Sequence, residues 1–332
     1  MNLEIENSKG RIVLAGGSGF LGSILASHFM RRGGEVVVLT RKSKDPGRHK
    51  KAQEGTITKV LWDGRTRGPW AEQLEGARAI INLSGRSVNC RYTRKNRKDI
   101  LESRIDSTHV LGEALSRCRA PPAVWLNCSG AGIYKESFDT GMDESGTLSA
   151  SESEAGFSSH VARLWERAFD EAQTPATRKV ALRISMVLGI EPGTPFRVFR
   201  RLARAGLAGR MGSGKQYVSW IHEIDFCRVV DWLIDTPTLH GPINVTAPNP
   251  VTNEEFTRTL RQACGHSFGL PAADWMLEIG AFFMRTETEL ILKSRRVVPG
   301  RLLAAGFQFQ FPQLGQALQD LEAELKRRGQ QK

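Results

Sequence analysis

Short, almost unbroken apolar runs alternate with amphipathic stretches along the first half of the chain. The runs at Arg11–Ala15, Glu35–Thr40, Thr56–Trp62, Ala79–Leu83, Ala123–Ser129 and Lys179–Ile184 mostly lack in–out alternation, as strands covered on both faces do. Between them, Phe20–Arg32, Thr93–Cys118 and Ser158–Ala172 carry helical periodicity. Strand and helix in alternation predict an α/β fold, a doubly wound parallel sheet with helices on both sides.

After Gly189 the pattern changes. Pro192–Pro195 reads as a loop, Phe196–Leu207 as a basic amphipathic helix and Gly209–Gly214 as a glycine-rich turn. Ile243–Thr246 reads as one more strand, returning to the sheet. Thr252 and Glu255 form a capping box ahead of Phe256, Leu260 and Ala263. His222 precedes a helix start with Asp225 in its first turn. From Pro271 onward the chain reads as mostly helical, closing on Gln313 to about Lys326, with Lys326–Lys332 as a frayed basic tail. No internal repeat is present. The expected division is residues 10–188, with the returning strand near 243–247, and a smaller, mostly helical substrate domain over 189–328.

The first run enters Gly16-Gly17-Ser18-Gly19-Phe20-Leu21-Gly22 directly, and a helix follows. Three glycines in this strand–turn–helix context are a dinucleotide-binding signature. Gly16 permits a turn with positive φ, Gly19 leaves the backbone open to a pyrophosphate, and Gly22 allows close packing of the helix. The helix N-terminus presents free N–H groups and its positive dipole end to the phosphates. The second strand ends in Thr40-Arg41-Lys42, where a site preferring NAD usually carries an acid. A guanidinium binds a 2′-phosphate and a carboxylate repels one, so NADP(H) is favoured. Asp63, closing the third strand, is a candidate acceptor for the adenine amine. Leu83, Ser84 and Gly85, closing the fourth, pass beside the cofactor.

A Tyr-x-x-x-Lys pair, the usual acid–base device next to such a cofactor, is missing. Only three tyrosines occur, and Tyr92, Tyr134 and Tyr217 are followed at the fourth position by Asn96, Phe138 and Ile221. If Glu166 marks the acid often found later in that helix, Ser158 and Ala162 occupy the two positions. The remaining catalytic candidates are Ser129, as a hydroxyl for a substrate carbonyl, and Tyr134, as a proton source. No metal-binding constellation emerges from the seven histidines.

The 332 residues carry 40 % hydrophobic and 25 % charged positions and a net charge of +12. That is ordinary globular composition, which excludes a wholly disordered or disulfide-scaffold chain. Positive charge gathers at Arg41–Lys51, Arg91–Lys98, Arg197–Arg210 and Lys293–Arg301, a field that attracts anions. No aromatics interleave in a nucleic-acid-binding pattern. Five widely spaced cysteines without a CxxC pair argue against a disulfide framework or zinc site. With no signal-peptide pattern and no apolar run of membrane-spanning length, the expectation is a cytoplasmic protein. Its expected partner is a small molecule, with no specific nucleic acid and no membrane.

The GxxGxxG spacing is similar to that of short-chain dehydrogenase/reductases. Further motifs occur in order: Asn82–Gly85, Glu102–Thr108, Leu182–Gly189, Met211–Asp225, Asn244–Phe256 and Lys293–Leu318. Together they resemble the atypical extended branch, the NAD(P)-dependent epimerase family of sugar nucleotide epimerase type with a DUF1731-type C-terminal domain. The resemblance covers Arg11 to about Leu321. It implies a Rossmann-type domain followed by a substrate domain, and NADP(H) as cofactor. By motif match it assigns Thr40 and Arg41 to the adenosine phosphate and Leu83 and Ser84 to the nicotinamide half. Asp99 and Arg104 would reach the cofactor or the site floor, and Val187 the nicotinamide end. Members similarly lack the Tyr/Lys pair. The implied function is an oxidoreductase or epimerase-like enzyme acting on a small polar or nucleotide-linked substrate. The alternative is a non-catalytic NADP(H)-dependent redox sensor or interaction protein.

Overall fold

The computed structural model describes residues 10–41, 50–51, 55–278, 287 and 289–330. The apolar runs form strands β1 (Arg11–Ala15), β2 (Glu35–Thr40), β4 (Thr56–Leu61), β5 (Ala79–Asn82), β6 (Val124–Gly130), β7 (Arg178–Ile184) and β11 (Gly241–Val245). These seven are parallel, and β3 (Lys50–Lys51) adds an antiparallel edge strand beside β4. The order is β11-β7-β6-β5-β1-β2-β4-β3. It reverses direction at β1, the switch point where such sheets open a crevice for a ligand.

Strand residues alternate between the faces, and both faces are covered. Ile12, Leu14, Val36 and Val38 pack with α1 (Phe20–Arg31) and α5 (Glu223–Asp235) through Leu25, Phe29, Phe226 and Leu233. Val13, Val37, Ile80 and Trp125 pack with α2 (Arg94–Ser116) and α3 (Phe157–Glu171) through Val110, Leu111, Leu115 and Phe169. Two apolar faces on one strand give the near-continuous runs seen in the sequence.

A third core joins α4 (Pro195–Arg204), α6 (Asn253–Ala263) and α7 (Leu314–Gln330), with Phe196, Trp220, Phe256, Leu260 and Leu318 buried between them. The capping box begins as expected, with Thr252 Oγ1 accepting the Glu255 N–H at 3.2 Å. His222 caps α5, its Nδ1 accepting the Ile224 N–H at 3.1 Å.

Short ladders tie this region to the sheet. β8 (Met186–Leu188) pairs with β10 (Trp220–His222), and β9 (Tyr217–Val218) with β12 (Val251–Thr252). The described part of the chain after Pro271 is mostly helical, with Lys293–Pro299 a non-helical segment whose backbone pairs with Tyr217 and Met142. One boundary needs correcting. The final helix continues past Lys326 to Gln330, with Arg328 held by Glu324 at 2.9 Å and Glu191 at 3.1 Å. Among the described residues no helix is long and apolar enough to cross a membrane.

Candidate cofactor and active site

The glycine loop leaves β1 at the centre of the sheet. Gly16 has φ +71°, and a Cβ there would lie 2.6 Å from Ser84 Cα. Both backbone sign and space therefore require glycine. A Cβ at Gly22 would overlap the backbone of Gly17, so this glycine packs the helix onto the loop itself rather than onto the strand. Gly19 differs. Its φ is −85° and a Cβ there would meet nothing within 4 Å. Neither strain nor packing demands glycine at this position, which fits a backbone kept clear for a ligand. Gly19 and Ser18 are exposed, and Phe20 and Leu21 open α1.

Beneath the loop, two strand ends repeat one pattern: Asn82-Leu83-Ser84-Gly85 on β5 and Asn127-Cys128-Ser129-Gly130 on β6. Asn82 and Asn127 are in register. Asn82 Nδ2 donates to Asn127 Oδ1 at 2.8 Å, and Asn82 Oδ1 accepts the Ser84 N–H at 3.1 Å. The likeness of the two segments is the sequence signal for this floor. Ser84 Oγ is buried against Gly16 with no hydrogen-bond partner among the described residues. Gly85 leaves room for Arg104, since a Cβ would lie 2.8 Å from the guanidinium carbon. Arg104 donates to the carbonyls of Arg86 and Ile100 at 2.9 Å and lies over the Trp165 ring at 5.0 Å. Burial pushes its pKa down to about 10. Asp99 pairs with Arg86, which also donates to Asn96 Oδ1 at 2.7 Å. Val187 is buried on β8, in register with Ile221.

At the end of β2, Thr40 is buried and Arg41 exposed. Lys42 lies outside the described residues. Asp63 is engaged locally: its carboxylate accepts the Arg65 and Thr66 N–H groups at 2.8 Å each and the Thr66 hydroxyl at 2.5 Å. Burial acts to raise its pKa, but these hydrogen bonds outweigh it and hold the carboxyl below its usual range. The structure thus gives Asp63 the work of fixing a turn.

The two catalytic candidates lie in one buried polar chain. Ser129 Oγ donates to Glu166 Oε1 at 2.7 Å, and Glu166 receives Arg183 Nε and Nη2 at 2.9 and 2.8 Å. Arg183 Nη1 donates to the Tyr134 hydroxyl at 2.8 Å, which donates to Asn244 Oδ1 at 2.7 Å. The Tyr134 ring is fully buried, and burial raises its pKa despite Arg183. Protein groups thus engage the Tyr134 hydroxyl both as donor and as acceptor. Ser129 is similarly committed, through the carboxylate of Glu166. At the start of α3, Ser158 Oγ and N both donate to Glu289, and Phe157 N donates to the same carboxylate at 3.0 Å. Ala162 is buried in an apolar cluster with Ala131, Ile133 and Val297. The positions that would carry a Tyr/Lys pair thus hold a capped serine and a packed alanine.

Residues 12–245 match the NAD dependent epimerase/dehydratase family, and residues 272–321 match DUF1731, a domain of unknown function. This chain belongs to the NAD dependent epimerase/dehydratase family. Epimerase family protein YfhF of Bacillus subtilis is 30% identical over 315 residues, covering 95% of this chain and 99% of that protein. Human epimerase family protein SDR39U1 is 31% identical over 324 residues, covering 94% and 100%. A crystal structure of the human protein with NADPH aligns at TM-score 0.81 and 29% identity, covering 94% of this chain and 99% of that one. A UDP-N-acetylglucosamine 4-epimerase from Bacillus cereus shares the fold at TM-score 0.73 and 14% identity.

The residues present fit the family's nicotinamide dinucleotide. Gly19 is open where a phosphate would approach, and Ser84 Oγ is a buried hydroxyl lacking a partner among the described residues. A buried hydroxyl of this kind is costly in a protein interior unless something pairs with it. Arg104 is a buried cation, bonded to two carbonyls, with no carboxylate partner among the described residues.

Proposed function

We propose that the protein binds NADP(H) and is an oxidoreductase or epimerase-like enzyme acting on a small polar or nucleotide-linked substrate. The observation that carries this is the pairing of an open glycine loop at the switch point with Arg41, rather than a carboxylate, at the end of β2. Gly16–Gly22 and the start of α1 would hold the diphosphate, Thr40 and Arg41 the adenosine phosphate, and Ser84, Arg104 and Val187 the nicotinamide half. When bound, the dinucleotide supplies hydride chemistry. The chain's own contribution is to orient that half against the ends of β5 and β6 and to keep it between Arg104 and the buried floor. Support comes from the human relative whose crystal structure holds NADPH. Calorimetric titration with NADPH and NADH tests the reading. It expects NADPH to bind at least about tenfold more tightly, a difference of about 1.4 kcal/mol, and equal affinities overturn the preference.

A second reading, a non-catalytic NADP(H)-responsive interaction protein, draws on the engagement of both Ser129 and Tyr134 in protein hydrogen bonds. Its test is affinity capture in NADP+ and in NADPH. A partner set that changes with redox state supports it, and an unchanged set removes it.

A further inference from the structure

The buried chain around Arg183 engages one tyrosine and leaves another to be accounted for. Tyr217 lies beneath the Arg296 guanidinium at 4.4 Å. Tyr92, on the loop between β5 and α2, is different. Its hydroxyl is buried and meets no hydrogen-bond partner among the described residues. The ring stands edge-on to Phe157 with centroids 4.8 Å apart, and the Tyr92 N–H donates to Glu287 Oε1 at 2.7 Å. Phe157 immediately precedes Ser158, the residue at the position where this class of site usually carries its tyrosine. Tyr92 thus brings a phenol to the start of α3 from a neighbouring loop.

A cation stands near it: Tyr92 packs in one cluster with Ile100 and Phe157, and the Ile100 carbonyl accepts from Arg104 Nη1 at 2.9 Å. The charges of Arg104 and Tyr92 act on each other, Arg104 favouring the phenolate and Tyr92 favouring the guanidinium. Arg104 packs against Gly85, the neighbour of Ser84. From the glycine turn toward α3, the structure therefore places a serine hydroxyl and a phenol without partners, and a buried guanidinium without a carboxylate partner, among the described residues. Burial and the carboxylates of Glu289 and Glu287 hold the phenol protonated, with Arg104 opposing them.

We propose that Tyr92 is the proton-transferring group of this site, with Arg104 in the role that the lysine of a Tyr/Lys pair performs. The proposal rests on the nicotinamide-dinucleotide reading above. In the reducing direction, the Tyr92 O–H bond breaks with its electron pair left on Oη, and the proton goes to a substrate carbonyl oxygen. The hydride that completes the alcohol comes from a reduced nicotinamide dinucleotide, the reductant named here. The phenolate faces Arg104 until solvent returns a proton, and oxidation runs the same transfers in reverse. A guanidinium carries its charge near neutral pH, so Arg104 favours the phenolate electrostatically.

The full chain carries three tyrosines, so labelling with 3-fluorotyrosine gives three fluorine resonances, and Tyr92→Phe assigns one of them. That resonance is titrated with pH, with and without NADP+, in the labelled protein and in Arg104→Gln and Arg104→Lys. The expected result is an acid constant for Tyr92 at least about tenfold larger with Arg104 than with Gln, with Lys restoring part of the difference. A titration indifferent to residue 104, or a phenol that stays protonated until unfolding in every form, overturns the proposal. A second arm follows NADPH oxidation by a panel of small aldehydes and ketones. Tyr92→Phe is expected to slow saturated turnover at least about tenfold with NADPH affinity kept within about threefold, and equal rates overturn the proposal. If the unsubstituted protein gives no heat with NADPH, the cofactor reading fails and takes this proposal with it. If it binds NADPH normally and only the Tyr92 results fail, the cofactor reading stands alone.

Discussion

Glu166 holds Arg183 at two points, with Oε1 to Nε at 2.9 Å and Oε2 to Nη2 at 2.8 Å, across the contact between α3 and β7. The Arg183 side chain is 5% exposed and that of Glu166 11%. Desolvation alone would lower the arginine pKa, but the charge and hydrogen bonds of Glu166 reverse this and raise it. Removing one partner leaves a buried charge uncompensated. Glu166→Ala is therefore expected to lose about 3–5 kcal/mol of stability, read by urea denaturation. Replacing both residues by apolar side chains of similar volume should cost much less.

The same chain predicts how Tyr134 behaves. Tyr134→Phe removes one donor to Asn244 Oδ1 and one acceptor for Arg183 Nη1. A loss of about 1–3 kcal/mol is expected, with the NADPH dissociation constant unchanged. A large fall in NADPH affinity at unchanged stability would restore a direct role for Tyr134 at the ligand.

The glycine loop separates fold from binding. Gly22→Ala drives a methyl into the Gly17 backbone, and overpacking of this kind costs about 1–3 kcal/mol. Gly19→Ala meets nothing in the protein and keeps an ordinary φ. Its melting behaviour should shift by less than about 1 kcal/mol, while NADPH affinity falls at least about tenfold. Matched losses in both variants would mean that Gly19 serves the fold alone.

The sheet was legible because its central strands are buried on both faces, so Val, Ile and Leu accumulate there with little polar interruption. The glycine loop was legible because its three positions answer to local causes: turn geometry, an open backbone and helix packing. The engagement of Ser129 and Tyr134 was not legible, for the opposite reason. Their hydroxyls are taken by Glu166 and by Asn244, 37 and 110 residues away, and no local pattern reports such partners. Tyr92 was set aside because Asn96 follows it at helical spacing, yet Arg104 interacts with it from α2 rather than from a shared helix turn. The path of Lys293–Pro299 was not legible because its hydrogen-bond partners at Met142 and Tyr217 come from distant parts of the chain.

Cofactor choice has its own test. Arg41 is exposed at the end of β2, so replacing it should leave the fold intact. A charged hydrogen bond to phosphate contributes about 1.5–3 kcal/mol. Arg41→Ala is therefore expected to weaken NADPH binding about tenfold or more, with NADH affinity changed little. An equal loss for both dinucleotides would assign Arg41 to a feature they share.

Two neighbouring groups at the start of α5 should give stability opposite slopes with pH. Burial raises the Glu223 carboxyl from 4.5 to about 7, with Glu191 and Asp320 adding to it and the Ile190 N–H and Arg328 opposing. Its folded pKa exceeds the unfolded one, so its favourable contribution is complete below pH 4.5 and is lost as pH rises through 7. Burial lowers the His222 pKa from 6.5 to about 3, the ring lying stacked on Phe311 at 4.0 Å. Its contribution is complete above pH 6.5 and is lost as pH falls toward 3. Between pH 4.5 and 6.5 the two slopes oppose each other and their sum is flat. Glu223→Gln removes one of them. Urea denaturation at a series of pH values should then show stability rising with pH across that window, by on the order of 1 kcal/mol per unit. The variant should also exceed the parent near pH 8 by on the order of 2–3 kcal/mol. A variant profile parallel to the parent's throughout would mean that Glu223 is ionised at no cost in the folded protein.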